Sequence, residues 1–264
     1  MTEEDALPPA PPAPPAARDT PPVGQVEGQL VYAIGDIHGC YAPLRALLGS
    51  IAEDVAARAA GRTPILLFCG DYVDRGPASS QVLDCLVWLR RHSGYRVHCL
   101  KGNHEQVMLD YLADPAAAAD WLRFGGGETL ASYGVSPPAP DAPPADHVAA
   151  RDDLLEALPV AHLRLLEGLE LLVGIGDFAF VHAGIRPGVA LRNQAEEDLL
   201  WIRETFLSSA EDHGKIIVHG HSWRSDAPQL HDNRIGIDTG TYDTGVLTAL
   251  RLEDGAAAIL QARG

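Results

Sequence analysis

Carboxylate, imidazole and carboxamide side chains recur in five short clusters, each directly after an apolar run. Asp36 and His38 lie in Gly35-Asp-Ile-His-Gly39, and Asp71, Asp74 and Arg75 in Gly70-Asp-Tyr-Val-Asp-Arg-Gly76. Asn103, His104 and Glu105 form Gly102-Asn-His-Glu105, while His182 follows Val181 and the pair His219/His221 follows Val218. One Gly-Asp after a strand is an ordinary turn. Three in succession, each rich in carboxylate or imidazole, are hard to produce by turn chemistry alone. Oxygen and imidazole donors without thiolate suit Mn, Fe or Zn rather than a soft-metal or structural cysteine site.

The elements that must position these residues alternate. Apolar runs at Leu30–Ile34, Ile65–Phe68 and Tyr95–Leu100 predict three strands, each ended by a glycine. Helical spacing over Tyr41–Ala60 and Ser79–Arg91 predicts the helices between them. Strand, loop and helix repeated this way give an α/β fold with a parallel first sheet. In such a sheet the carboxyl ends of neighbouring strands share one edge, so Asp36, His38, Asp71, Asn103 and His104 converge. Further on, Leu169–Val173 and Phe178–Val181 predict a hairpin and Glu196–Leu207 a helix. Strands follow at Lys215–Val218, Arg234–Ile237, Gly245–Leu252 and Ala256–Gln261, which fits a mixed two-sheet sandwich.

Composition bounds the rest. The 264 residues carry 20 Lys+Arg against 36 Asp+Glu, a formal net charge of −16, which excludes a broad basic footprint for nucleic acid or an anionic membrane. Of 20 prolines, eight fall in Pro8–Pro22 and five in Pro137–Pro144. Residues 1–28 are therefore expected to be a disordered Pro/Ala-rich tail, residues 29–264 one domain, and 136–146 a proline-rich surface loop. Cys40, Cys69, Cys85 and Cys99 show no CxxC spacing and read as free thiols. The acidic start lacks a signal-peptide pattern, and no run approaches the ~20 apolar residues of a membrane span. A soluble cytoplasmic protein is expected.

The order GDxHG, GDxVDRG, GNHE, HAG, GH resembles the calcineurin-like metallophosphoesterases over about residues 29–262. Within them it is most similar to the bacterial serine/threonine branch of the phosphoprotein phosphatase family. Gly35-Asp-Ile-His-Gly-Cys-Tyr41 and Asp238-Thr-Gly240 are equally similar to the symmetrical diadenosine tetraphosphatases. The resemblance implies a four-layer sandwich of two mixed β-sheets flanked by helices. It also implies two divalent metal ions, Mn foremost, with Fe or Zn as alternatives. Asp36 and His38 would hold one ion, Asp71 would bridge both, and Asn103, His182 and His221 would hold the other. Such a pair, about 3.5–4 Å apart, shares a hydroxide and clamps a phosphate for in-line attack.

The remaining roles are implied in the same way. His104 would be the general acid, Asp74 its partner, and Arg75 and Arg203 the phosphate-binding arginines. His221 is preferred over His219, which shares its strand face but not its place in the motif. Ser222-Trp-Arg224 departs from the Thr-Pro of bacterial members, and Trp121–Gly127 resembles a segment that lines the approach to the metals. Glu105 and Cys40 receive no chemistry, and His92, His98, His147, His162, His213 and His231 are expected to be structural or solvent-facing.

The function implied is hydrolysis of phosphate monoesters in phosphoproteins or small esters, without stable nucleic-acid or membrane partners. Cleavage of dinucleoside polyphosphates is the alternative, and a non-catalytic scaffold a distant one. Dinucleotide, P-loop and serine-elbow motifs fail on context or are absent.

Overall fold

The computed structural model describes residues 16–264. The first half alternates as β1 (Val31–Ile34), α1 (Tyr41–Arg58), β2 (Ile65–Phe68), α2 (Ser79–His92), β3 (Arg96–Cys99) and α3 (Asn103–Ala113). A 3-10 turn (Ala119–Phe124) and the helices α4 (Gly126–Ser132), α5 (Pro144–Ala157) and α6 (Val160–Glu167) follow. Then come β4 (Leu172–Ile175), β5 (Phe178–Val181), α7 (Glu196–Trp201), α8 (Glu204–Leu207) and β6 (Ile216–His219). The chain closes with β7 (Gln229–Leu230), β8 (Arg234–Gly236), α9 (Thr241–Thr244), β9 (Val246–Glu253) and β10 (Ala256–Arg263).

Two five-stranded mixed sheets result, ordered β10-β9-β1-β2-β3 and β4-β5-β6-β8-β7. β1, β2 and β3 are parallel, with Val31 opposite Ile65 and Ile65 opposite Arg96, because helical crossovers join them. β1 and β2 read as unbroken apolar runs because both of their faces are covered. Val31, Ala33, Ile65 and Leu67 pack on Phe178, Phe180, Val218 and Ile235 of the second sheet. Tyr32, Ile34, Leu66 and Phe68 point the other way, onto Leu44, Leu47, Val82 and Leu86 of α1 and α2. Beyond the second sheet, Ala179, Val181 and Ile217 meet Leu199, Phe206 and Leu207 of α7 and α8. The four layers are helix, sheet, sheet, helix. Phe180 is fully buried between the sheets, and truncating such a side chain to alanine costs about 3–5 kcal/mol.

Four expectations shift. The first fifteen residues of the expected tail lie outside the described range, but its remainder is held to the domain. Arg18 N–H donates to Leu230 O at 2.8 Å, Gln25 N–H to Asp177 Oδ2 at 2.7 Å, and Val26 and Gly28 N–H to the Asp254 carboxylate at 2.6 and 2.8 Å. Val26 is fully buried. The proline-rich loop ends at Pro143 rather than 146, since Pro144 begins α5 at the helical position where a missing N–H costs nothing. The single helix expected over Glu196–Leu207 is two, broken at Ile202 and Arg203, whose φ and ψ of −128° and −106° are not helical. The predicted hairpin is present three residues later in its first strand, as β4 and β5 around Gly176-Asp177. Among the described residues, no helix is long and apolar enough to cross a membrane.

Candidate metal centre

The loops after β1 and β2, the start of α3, and the loops after β5, β6 and β8 meet at one edge of the two sheets. Asp36, His38, Asp71, Asn103, His104, His182 and His221 are all buried there. Of the seven non-glycine residues with left-handed φ among the described residues, five belong to this group of loops: His38, Asp71, Asp74, Arg75 and His221. Such conformations are unfavourable for ordinary side chains and persist where the surroundings over-determine them.

Two glycines of the motifs have a steric reason. A Cβ on Gly102 would lie 2.1 Å from Asp71 Oδ1, and one on Gly220 would lie 1.9 Å from Asp36 Oδ1. The residue ahead of Asn103 and the residue ahead of His221 must therefore lack a side chain for the two carboxylates to sit where they do. The Asp36 carboxylate also accepts the His221 N–H at 2.9 Å.

The histidines are aimed by backbone carbonyls. His38 Nδ1–H donates to Val73 O at 3.0 Å and His182 Nδ1–H to Cys69 O at 2.8 Å, which leaves Nε2 of each with its lone pair facing the cluster. His38 Nε2 is 3.5 Å from Asp71 Oδ2, and His182 Nε2 is 3.4 Å from Asp71 Oδ1 and 2.9 Å from Asn103 Oδ1. Burial pulls His38 down to about 3 and His221 to about 2, so these rings are neutral rather than cationic, the form a metal requires.

Ligand atoms of His38, Asp71 and His104 lie within 4.8 Å of one another, as do those of Asp71, His182 and His221. Asp71 is common to both groups. A cation fits this arrangement on two further observations. Asp36 Oδ1 and His221 Nε2 are buried without a partner, and the lone pair of His182 Nε2 points at oxygens that cannot donate to it. Burial and the negative charges of Asp238 and Asp71 also push the Asp36 carboxyl well above its usual range, which bound cations would reverse.

His104 differs from the other rings. Its Nδ1–H donates to Asp74 Oδ2 at 2.6 Å, and its Nε2 is 3.9 Å from Asp71 Oδ2. Although burial opposes it, the Asp71 charge and the Asp74 bond raise its pKa to about 9. A ring protonated in this way has a proton to give and no lone pair for a metal. Asp74 is fixed in turn: Trp121 Nε1–H donates to its Oδ2 at 2.8 Å and the Thr129 hydroxyl to its Oδ1 at 2.7 Å. Gly126 has no Cβ because one would lie 2.4 Å from the Trp121 ring.

Arg75 and Arg203 line the cavity of about 780 Å³ that opens from this cluster, together with Trp121, Phe124, Trp201, Trp223 and Tyr242. The break between α7 and α8 places Arg203 there, and its guanidinium reaches the Ser222 hydroxyl at 3.5 Å. His219 is not brought in. It faces the core on the Phe206 ring, 5.2 Å between centroids, with Nδ1–H on Gly220 O. His98, His147, His162 and His213 contact Glu170, Tyr111, Asp84 and Asn233 away from the cavity.

Three contributors receive no role from the sequence. Glu105 accepts the N–H groups of Asp71, Tyr72, Gly102 and Val73 at 2.7–3.3 Å, and so shapes the loop that carries Asp71. Asp238 ends β8 as Asp36 ends β1, and is buried beside it. Burial pushes its carboxyl up to about 7 against the pull of Gly240 N–H. The same strand-end signal that marked Asp36 was available for it. Tyr242 left no signal, since its contacts are with rings and a guanidinium distant in sequence.

Calcineurin-like phosphoesterases as a family match the chain over residues 30–239. Serine/threonine-protein phosphatase 1 of Salmonella typhimurium is 30% identical over 234 residues, covering 84% of this chain and 92% of that one. The symmetrical bis(5'-nucleosyl)-tetraphosphatase of Methylococcus capsulatus is also 30% identical over 234 residues, covering 85% of this chain but 66% of its own. A solved structure provisionally described as a diadenosine tetraphosphatase superposes with a TM-score of 0.59 at 19% identity, over 91% of this chain and 97% of that one. At that identity the likeness is one of fold.

Proposed function

The chain belongs to the calcineurin-like phosphoesterase family, and from that membership we propose that it is a divalent-metal-dependent hydrolase of phosphate monoesters, of the serine/threonine protein phosphatase type. What carries this reading is the His104–Asp74 pair, held at 2.6 Å beside a cluster of oxygen and imidazole ligands and facing a cavity with two arginines.

Asp36, His38 and Asp71 would hold one cation, and Asp71, Asn103, His182 and His221 a second. This mixed oxygen and imidazole set suits Mn, Fe or Zn, with Mn proposed from the family resemblance. Bound there, such cations would activate a water for attack at phosphorus and neutralise phosphate charge. Arg75 and Arg203 orient the phosphate, since planar guanidinium forks match its oxygens. His104 delivers a proton from Nε2 to the leaving oxygen, and Asp74 keeps Nδ1 protonated and the ring in position. Trp121 and Thr129 prevent Asp74 from turning away.

Monoesters are favoured over polyphosphates by Asp110 and Asp114 in the cavity lining, which would repel additional phosphates. The chain also spans nearly the full length of the phosphatase relative and about two thirds of the tetraphosphatase one. The second reading, symmetrical cleavage of a dinucleoside tetraphosphate, draws on Trp201 and Trp223, which offer aromatic rings for a base. Turnover of a phosphothreonine peptide and of diadenosine tetraphosphate by the Mn-loaded protein separates them. A higher kcat/KM on the peptide is expected, and a higher value on the dinucleotide would select the second reading.

A further inference from the structure

Arg75 is anchored by its backbone and held at its tip by a single aromatic ring. Its N–H donates to Gly125 O at 3.2 Å with φ at +67°, and a Cβ on Gly125 would lie 2.4 Å from Arg75 N. The guanidinium makes no hydrogen bond or ion pair among the described residues. Its carbon sits 4.6 Å from the centroid of the Tyr242 ring.

That ring is itself packed against the site. Tyr242 lies in the short helix α9, which is tied to the first ligand loop because the Thr241 hydroxyl donates to Asp36 O at 2.8 Å. Gly240, which precedes it with φ at +64°, has no Cβ because one would lie 2.5 Å from the Trp223 ring. His38 meets the Tyr242 ring edge-on at 5.2 Å, and Trp223 does so at 6.1 Å. The Tyr242 hydroxyl has no hydrogen-bond partner among the described residues, so its face rather than its polar tip is what the structure uses.

We propose that Tyr242 is a positioning residue for phosphate recognition: its ring holds the Arg75 guanidinium by a cation–π stack, without a carboxylate that would compete for the N–H groups. In an acidic protein an arginine beside a carboxylate cluster is otherwise drawn into an ion pair, and its donors are then occupied before substrate arrives. Stacking orients the guanidinium plane, lowers the ordering cost of binding, and leaves all five donors free. Only the assignment of Arg75 to phosphate rests on the function proposed above.

The test is a double-mutant cycle on the Mn-loaded protein, with inorganic phosphate binding by calorimetry and KM for p-nitrophenyl phosphate as readouts. Tyr242→Leu should weaken both by about 3- to 10-fold with melting temperature unchanged, the range of a partly desolvated cation–π contact. Tyr242→Phe, which keeps the ring, should stay within about twofold of wild type. In an Arg75→Ala background, Tyr242→Leu should add nothing further. An equal loss in both backgrounds, a loss for Tyr242→Phe matching that for Tyr242→Leu, or no loss at all would overturn the proposal. A protein that binds phosphate but hydrolyses no ester would contradict the enzymatic reading while leaving the cycle measurable; one that binds no phosphate would remove both.

Discussion

Gly220 and Asp36, 184 positions apart, are in such close approach that a Cβ on the glycine would lie 1.9 Å from Asp36 Oδ1. That oxygen is one of the buried, unpartnered atoms of the cluster. The glycine ahead of His221 thus serves a residue on a different sheet.

Gly220→Ala should displace the Asp36 carboxylate and weaken Mn binding by about 10- to 100-fold, the usual cost of disturbing a ligand's support. Isothermal titration of the metal-free protein checks this. Gly49→Ala, with open space at its Cβ position, is the matched control and should bind as wild type does.

Removing the proton donor should have an effect that depends on the leaving group. His104→Ala is expected to lower kcat on a phosphoserine peptide by about 10²- to 10⁴-fold. Its effect on p-nitrophenyl phosphate should be far smaller, because nitrophenolate departs as a stable anion. Equal losses on the two substrates would place His104 in binding rather than in proton transfer.

The Asp74–His104 pair sets a pH dependence. In the proposed mechanism the acid form of His104 is the active one, so activity falls as pH rises through its pKa, which the Asp74 bond raises above the ordinary 6.5. Asp74→Asn withdraws a negative partner from the ring and lowers that pKa. The alkaline limb of kcat should therefore move to lower pH in the variant, as a pH–rate profile would show.

Asp238 makes a prediction about stability in the metal-free protein. Its folded-state pKa of about 7 exceeds the ordinary 3.8 because burial disfavours the charged form. The folded protein therefore binds more protons than the unfolded chain between these values, and stability falls as pH rises through that window. In the chelator-treated protein, Asp238→Asn should therefore gain melting temperature relative to wild type as pH is raised from 5 to 8, a comparison that cancels the opposing contribution of the buried neutral rings of His38 and His221. Mn should raise the wild-type melting temperature most at the alkaline end, where it offsets the repulsion among Asp36, Asp71 and Asp238.

The legible parts of this molecule are those set by local pattern. β1 and β2 announce themselves because each is covered on both faces, and the residues after them announce a site because strand ends share an edge. Other features depend on partners that no local pattern contains. The segment from Arg18 to Gly28 is held by Asp177 and Asp254, carboxylates more than 150 positions away. The break that turns Arg203 towards the cavity interrupts an apolar spacing that would serve one continuous helix. Glu105 looks like an ordinary helix-start acid, and only the fold brings four amides of two loops around it.

Asp71 is shared between the two groups of candidate ligands, and the proposed metal-dependent hydrolysis of phosphomonoesters depends on it. Phosphate release from a phosphothreonine peptide, followed with Mn, after chelation and in Asp71→Asn, tests it most directly. The account predicts turnover with Mn, its loss on chelation, its return when Mn is restored, and background rates for Asp71→Asn at every stage. Turnover that survives chelation, or an Asp71→Asn protein as active as wild type, would contradict it.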